Sequence, residues 1–175
     1  MVDVRVTKLF DEGEIAARVE ELAQAVAQRL PADFVIVGLL VGSFVFVADL
    51  VRALHRRGAK PIVEFMRLSS YGLARQSSRN VRLIGGLELD LADRTVLLLD
   101  DIVDTGRTLV FARDLLREKK AAQVFTCALI DKPSRREVTI DVDFVGFTVP
   151  DVFIVGYGID YAHAYRSLPY IGRVD

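Results

Sequence analysis

The stretch TVLLLDDIVDTGRTLVFARDLL, residues 95–116, joins a wholly apolar run to three acids and a small-residue turn. Four consecutive aliphatic residues, Val96 to Leu99, lead into Asp100 and Asp101, and a small-residue turn of Asp104, Thr105, Gly106, Arg107 and Thr108 follows. A strand with no polar interruption is expected where both faces of a sheet are covered. The residues after the turn predict a helix through Leu109, Leu115 and Leu116, with Lys119 and Lys120 in its last turn. In open sheets of this kind ligands sit at the carboxyl ends of strands, which is where the acids fall. Side chains alternate along an extended segment, so the two acids are expected to diverge. That suits them to separate sugar hydroxyls or a hydrated Mg2+ rather than to a shared proton. The exposed amides, two hydroxyls and helix start of residues 105–108 form a cradle for a phosphate monoester.

Working outward, Ile15, Val19, Leu22 and Val26 recur at helical spacing behind a cluster of acids, with Pro31 beyond the end. FVIVGLL, residues 34–40, is a second buried strand. After VGS, a run through Phe44, Val47, Leu50, Val51 and Leu54 predicts a helix that stops near Gly58. PIVEFMRL and QVFTCALI predict further strands. The polar tract SSYGLARQSSRN, residues 69–80, is too long for a tight connection and predicts a mobile loop, and VRLIGGLELDLADR predicts short strands around a Gly-Gly turn. Strand alternating with helix predicts an α/β fold, a mainly parallel sheet with helices on both faces.

The 175 residues suffice for one well-buried core, so residues 1–175 are expected to form a single domain. Twenty-three basic residues against 24 acidic ones leave a net charge of −1, which gives no overall field for nucleic acid or membrane surfaces. An anionic ligand must therefore be held locally. No targeting signal and no membrane-spanning run is read, which predicts a cytoplasmic protein. The single cysteine, Cys127, lies in an apolar run and is expected to be a buried hydrophobe rather than a nucleophile.

The motif DDIVDTGRTL resembles the phosphoribosyl pyrophosphate (PRPP) binding motif of type I phosphoribosyltransferases, in the variant of the hypoxanthine-guanine phosphoribosyltransferases. The resemblance runs from about residue 14 to residue 174. GLLVGSFVFVADLVR, MRLSSYG, LIDKPSRR and DFVGFTVPDVFIVGYGIDYAHAYRSLPYIG match that family in the same order. It implies the type I fold, a central sheet flanked by helices with a small hood subdomain. The implied reaction is purine salvage: with Mg2+, hypoxanthine or guanine displaces pyrophosphate from C1 of PRPP, giving IMP or GMP.

By the same resemblance, Asp104 handles the purine N7 proton. Asp100 and Asp101 bind the ribose hydroxyls and one Mg2+, and Thr105, Gly106, Arg107 and Thr108 hold the 5′-phosphate. Lys132 donates to the 6-oxo group, Phe153 stacks on the base, and the Ile154 backbone reads its edge. Asp160 serves a second Mg2+ beside the purine. Val41, Gly42 and Ser43 present amides to pyrophosphate together with the guanidinium of Arg166. Ser70 and Tyr71 match a lid that closes over PRPP and excludes water. One departure stands out: where many members carry Leu-Lys-Gly-Ser with a non-proline cis peptide, this chain reads Leu40, Val41, Gly42, Ser43. A homodimer or homotetramer is implied as well. The competing readings are a PRPP-sensing nucleic-acid-binding regulator, suggested by HRRGAK and SRRE, a phosphoribosyltransferase for another base, and a phosphate-binding protein without catalysis.

Overall fold

The computed structural model describes residues 4–71 and 80–175. At its centre lies β5 (Thr95–Val103), whose residues 96–99 are wholly buried. Alternation sends their side chains to opposite faces. Leu97 and Leu99 pack into a core with residues of α1 (Glu12–Arg29) and α2 (Phe44–Arg56), while Val96 and Leu98 pack with Leu109, Ala112 and Leu116 of α3 (Arg107–Glu118). Each such burial is worth about 1.5–3 kcal/mol, and a polar residue at any of the four positions would forfeit it.

The main sheet has six strands in the order β4-β3-β2-β5-β6-β7, formed by β2 (Val35–Leu40), β3 (Ile62–Tyr71), β4 (Asn80–Gly86), β5, β6 (Gln123–Asp131) and β7 (Phe144–Thr148). All pairings are parallel except β3 with β4. The chain leaves β2 toward β3 on one side and comes back to β5 on the other. The loops after β2 and β5 therefore diverge and leave a crevice between them, the usual place for a ligand in such sheets. A second, three-stranded sheet, β1-β9-β8, joins β1 (Val6–Phe10), β8 (Ile154–Val155) and β9 (Ile171–Val174), and it corresponds to the expected hood.

Local chemistry sets the helix ends. Asp11 Oδ1 accepts from the Glu14 amide at 2.9 Å and Glu14 Oε2 accepts from the Asp11 amide at 2.8 Å, a capping box that starts α1. Ile15, Val19, Leu22 and Val26 are buried as their spacing predicts. Gly58, at φ +83°, donates to His55 O at 3.0 Å and closes the end of α2. Phe44 departs from the expected apolar face: as the first residue of α2 it precedes the buried stripe and is exposed. Lys119 and Lys120 also sit later than expected. Lys119 caps α3, and Lys120 lies past it at φ +64°.

Two further expectations are corrected on the far side of the sheet. The polar tract is shorter as a connection than its composition suggests, because the ladder pairs Ser69 with Arg82, Ser70 with Val81 and Tyr71 with Asn80. Gly85 and Gly86 make no turn between strands. They end a single strand opposite Arg67 and Met66, and Gly86 adopts φ +87° where a Cβ would strike the Phe65 carbonyl. The expected lid falls on residues 72–79 and on the side chains of Ser70 and Tyr71, all of which lie outside the described residues.

Candidate active site

Asp100 and Asp101 lie in the second half of β5, which runs on to Val103. Asp100 is only 8% exposed, and its Oδ1 turns forward to accept the Asp101 amide at 3.0 Å. That turn overrides the alternation of the strand. Burial pushes the Asp100 carboxyl well above its ordinary range, and the charge of Asp101 and a hydrogen bond between the two side chains push the same way. Asp100 thus turns toward Asp101, where the alternation of the strand predicts divergence. Burial also raises Asp101, offset in part by hydrogen bonds from Asp100 and the backbone amides and, least, by the Arg166 guanidinium.

The turn after β5 forms the floor of a cavity of about 230 Å3 lined by residues 100–106 with Thr108 and Leu109. Gly106 caps the start of α3 at φ +83° beside Val138 and Ile140, so a side chain there would be strained in torsion and tight in space. Thr105 Oγ1 lies 3.4 Å from the Arg107 amide, and the Thr105 carbonyl accepts from the amides of Glu137 and Val138. Arg107 itself pairs with Glu137 at 2.7 Å, on the outside of the turn. What the turn offers an anion is the helix start, its amides and two hydroxyls.

Across the crevice, the Leu40–Val41 peptide is cis. Ser43 is buried, with Oγ donating to Leu39 O at 2.5 Å, while Val41 is 43% exposed. Gly42 faces Asp101 so closely that a Cβ there would collide with the Asp101 carboxylate. Gly158, at φ +99°, sits against the Gly42 carbonyl in the same way. Arg166 donates to Gly158 O at 2.7 Å and pairs with Asp160 at 2.7 Å, and the other Asp160 oxygen accepts the His163 amide at 2.8 Å. Residues 41–43, Asp101, Gly158 and Arg166 therefore meet at one wall. Tyr157 fastens this wall to α2 by donating its hydroxyl to Asp49, a link with no signature in the sequence.

The third wall comes from the segment after β6. The Lys132 amide donates to Val103 O at 3.0 Å, so Lys132 and Asp104 are neighbours across the strand ends. Lys132 is only 6% exposed and donates Nζ to Val152 O at 2.5 Å. Burial lowers its ammonium, against the opposing pull of Asp104 and Asp151. Phe153 is 52% exposed, with Tyr161 edge-on to its ring at 5.2 Å, while Ile154 is buried in β8. Sequence reasoning missed Tyr161, Arg135 and Asp151. Arg135 Nε bonds Asp104 Oδ1 at 3.0 Å, and its Nη1 lies 3.5 Å from Asp151 Oδ2. Its neighbour Arg136 donates to the carbonyls of Val103 and Asp104 at 2.8 and 2.7 Å and pairs with Asp131, clamping the turn. The SRR cluster is thus an internal brace of the site. Cys127 is fully buried and its thiol is pushed up by burial, as expected of an inert packing residue.

Among the described residues no third acid or histidine joins a cluster able to hold a metal unaided. Two converging carboxylates on a phosphate-sized cavity nevertheless fit Mg2+, which keeps several waters and shares its shell with substrate phosphates.

The residues 5–162 match the model of the phosphoribosyl transferase domain. The chain is 45% identical to the hypoxanthine phosphoribosyltransferase of Escherichia coli K12 over 169 residues, covering 95% of this chain and 93% of that protein. It is 44% identical to the hypoxanthine-guanine phosphoribosyltransferase of Aquifex aeolicus with the same coverage. A crystal structure of a hypoxanthine-guanine phosphoribosyltransferase from Bacillus anthracis superposes with a TM-score of 0.91 at 36% identity, over 99% of this chain and 100% of that one. The sheet order, the crevice between β2 and β5, and likeness over nearly the whole chain lead to one conclusion: the chain belongs to the hypoxanthine phosphoribosyltransferase family, a branch of the phosphoribosyl transferase domains.

Proposed function

We propose that the protein, acting as one phosphoribosyltransferase domain over residues 1–175, transfers the 5-phosphoribosyl group of PRPP to hypoxanthine and guanine, releasing pyrophosphate. The observation that carries this reading is the adjacency of Asp104 and Lys132, fixed by the bond from the Lys132 amide to the Val103 carbonyl. A carboxylate acceptor beside an ammonium donor matches the N7–H and 6-oxo edge of a 6-oxopurine. Adenine presents an amino donor at that position and leaves the ammonium facing another donor.

In this reading the 5′-phosphate rests on the amides and hydroxyls of Thr105, Gly106, Arg107 and Thr108, and Asp100 and Asp101 take the ribose hydroxyls. The backbone of Val41, Gly42 and Ser43 faces pyrophosphate with Arg166, aimed at the oxygens whose charge grows as the C1–O bond breaks. The purine lies on the exposed ring of Phe153 against the Ile154 backbone, N9 attacks C1, and Asp104 takes the N7 proton as positive charge develops on the base. Mg2+, when bound, neutralises pyrophosphate charge and improves it as a leaving group. Asp100 and Asp101 would hold it, and Asp160, tied to Arg166 here, would serve a second ion. Ser70 and Tyr71, at the site end of β3, would cover PRPP. The exposed Val41 and Phe44 beside the pyrophosphate turn suit burial in a homodimer or homotetramer. Phosphorylated substrates and products suit a cytoplasmic enzyme. Among the described residues no helix is long and apolar enough to cross a membrane.

Asp104→Asn tests the assignment. Turnover with hypoxanthine should fall at least a hundredfold while PRPP binding changes less than threefold. Equal loss of both would make Asp104 a structural residue.

A further inference from the structure

Arg135 reaches the reactive carboxylate from outside the cavity. It stands at the end of a 3₁₀ turn, Pro133–Arg135. Its Nε–H bonds Asp104 Oδ1 at 3.0 Å, and Nη1 lies 3.5 Å from Asp151 Oδ2. One guanidinium therefore spans two acids, one on the turn after β5 and one on the loop between β7 and β8. Both carboxylates and the guanidinium are well exposed, and exposed ion pairs of this kind contribute little to folding. A bridge that does little for stability and ends on the proton-handling atom pair calls for a different role.

We propose that Arg135 is a positioning residue for the transfer reaction: by engaging Oδ1 of Asp104, with Asp151 steadying its other end, it fixes the rotamer that leaves Oδ2 free for the purine N7–H. This rests on the reading of Asp104 given above. A carboxylate with both oxygens free samples several orientations, and only some meet N7. The planar fork of arginine selects one of them, which a single ammonium does less well. The arrangement also separates the two cations of the purine wall. Lys132 is directed to Val152 O and, in the complex, to the 6-oxo group, while Arg135 stays on the carboxylate. Asp104 and Asp151 favour the charged form of Lys132 and Arg135 opposes it, so the two acids and two bases form one electrostatic unit.

The test is a mutant cycle on the full chain with Mg2+, PRPP and hypoxanthine, combining Arg135→Gln with Asp104→Asn, and adding Arg135→Lys and Asp151→Asn. Arg135→Gln should lower kcat about tenfold, with PRPP KM within twofold and Tm within about 2 °C of wild type. Arg135→Lys should recover part of the loss, and Asp151→Asn should lose about threefold. In the Asp104→Asn background Arg135→Gln should cost less than twofold, since Arg135 acts through Asp104. Wild-type kcat for Arg135→Gln, or an equal loss in both backgrounds, would overturn the positioning role alone. Wild-type kcat for Asp104→Asn would overturn the assignment of Asp104 and the positioning role with it.

Discussion

Gly42→Ala separates the site from the fold. A Cβ at residue 42 would stand 2.6 Å from Asp101 Cγ and closer still to its Oδ2. Ordinary contact begins near 3.4 Å and Oδ2 stands at 1.8 Å, so the carboxylate oxygen must swing away, or the pyrophosphate turn must lift, by about 1.6 Å. The obstruction is the end of a side chain at a cavity rim, so the fold absorbs it near the low end of the overpacking cost, about 1 kcal/mol or about 3 °C in Tm. Catalysis has no such latitude, because a displacement of this size at a group that orients substrate costs on the order of a hundredfold. Gly146→Ala makes the contrast: there the Cβ meets the Leu129 carbonyl, backbone that cannot step aside, and stability falls instead. The assay is kcat/KM for PRPP at saturating hypoxanthine, run beside a thermal melt. Activity of Gly42→Ala within twofold of wild type would refute the claim that the turn after β2 and Asp101 form one pyrophosphate-facing wall.

Lys132→Met keeps the length of the side chain and removes its donor. Hypoxanthine KM should rise between about tenfold and a hundredfold while PRPP affinity is kept, as read by steady-state kinetics and titration calorimetry. Asp100→Asn should raise Tm in metal-free buffer at neutral pH while reducing activity. The folded-state pKa of Asp100 is raised, so its neutral form is favoured in the fold and its charged form costs stability. The variant's advantage should therefore be absent below the ordinary carboxylate range and grow as pH rises through the raised value. Melts across that window that run parallel for the two proteins would contradict the burial argument.

The readable part of the fold lay in its covered elements. The run through residues 96–99 could be read as a doubly buried strand because every side chain in it is apolar and each face has a helix to meet. The stripes of α1 and α2 followed from spacing, and Gly58 marked a stop that its torsion explains. β1 and β9 gave no local signal: each is short, and they pair across almost the entire chain, Val6 with Val174. The Gly85–Gly86 pair read as a turn because composition cannot tell a reversal from a strand end held at positive φ. At the site, the acids and the phosphate cradle were visible as a motif. The convergence of Asp100 on Asp101 was not, because it depends on one side chain turning toward the next amide. Arg135 and Asp151 were hidden for a related reason: 31 positions separate Arg135 from the carboxylate it holds, and only the parallel pairing of β5 with β6 brings them together.

In the proposed reading this crevice joins a 6-oxopurine to PRPP. Nucleotide formation should be measured from PRPP and Mg2+ with hypoxanthine, guanine, xanthine, adenine and uracil in parallel, with a metal-free control. Metal-dependent IMP from hypoxanthine, with no product from adenine or uracil, is the predicted result. Binding of PRPP with no nucleotide formed from any base would contradict it.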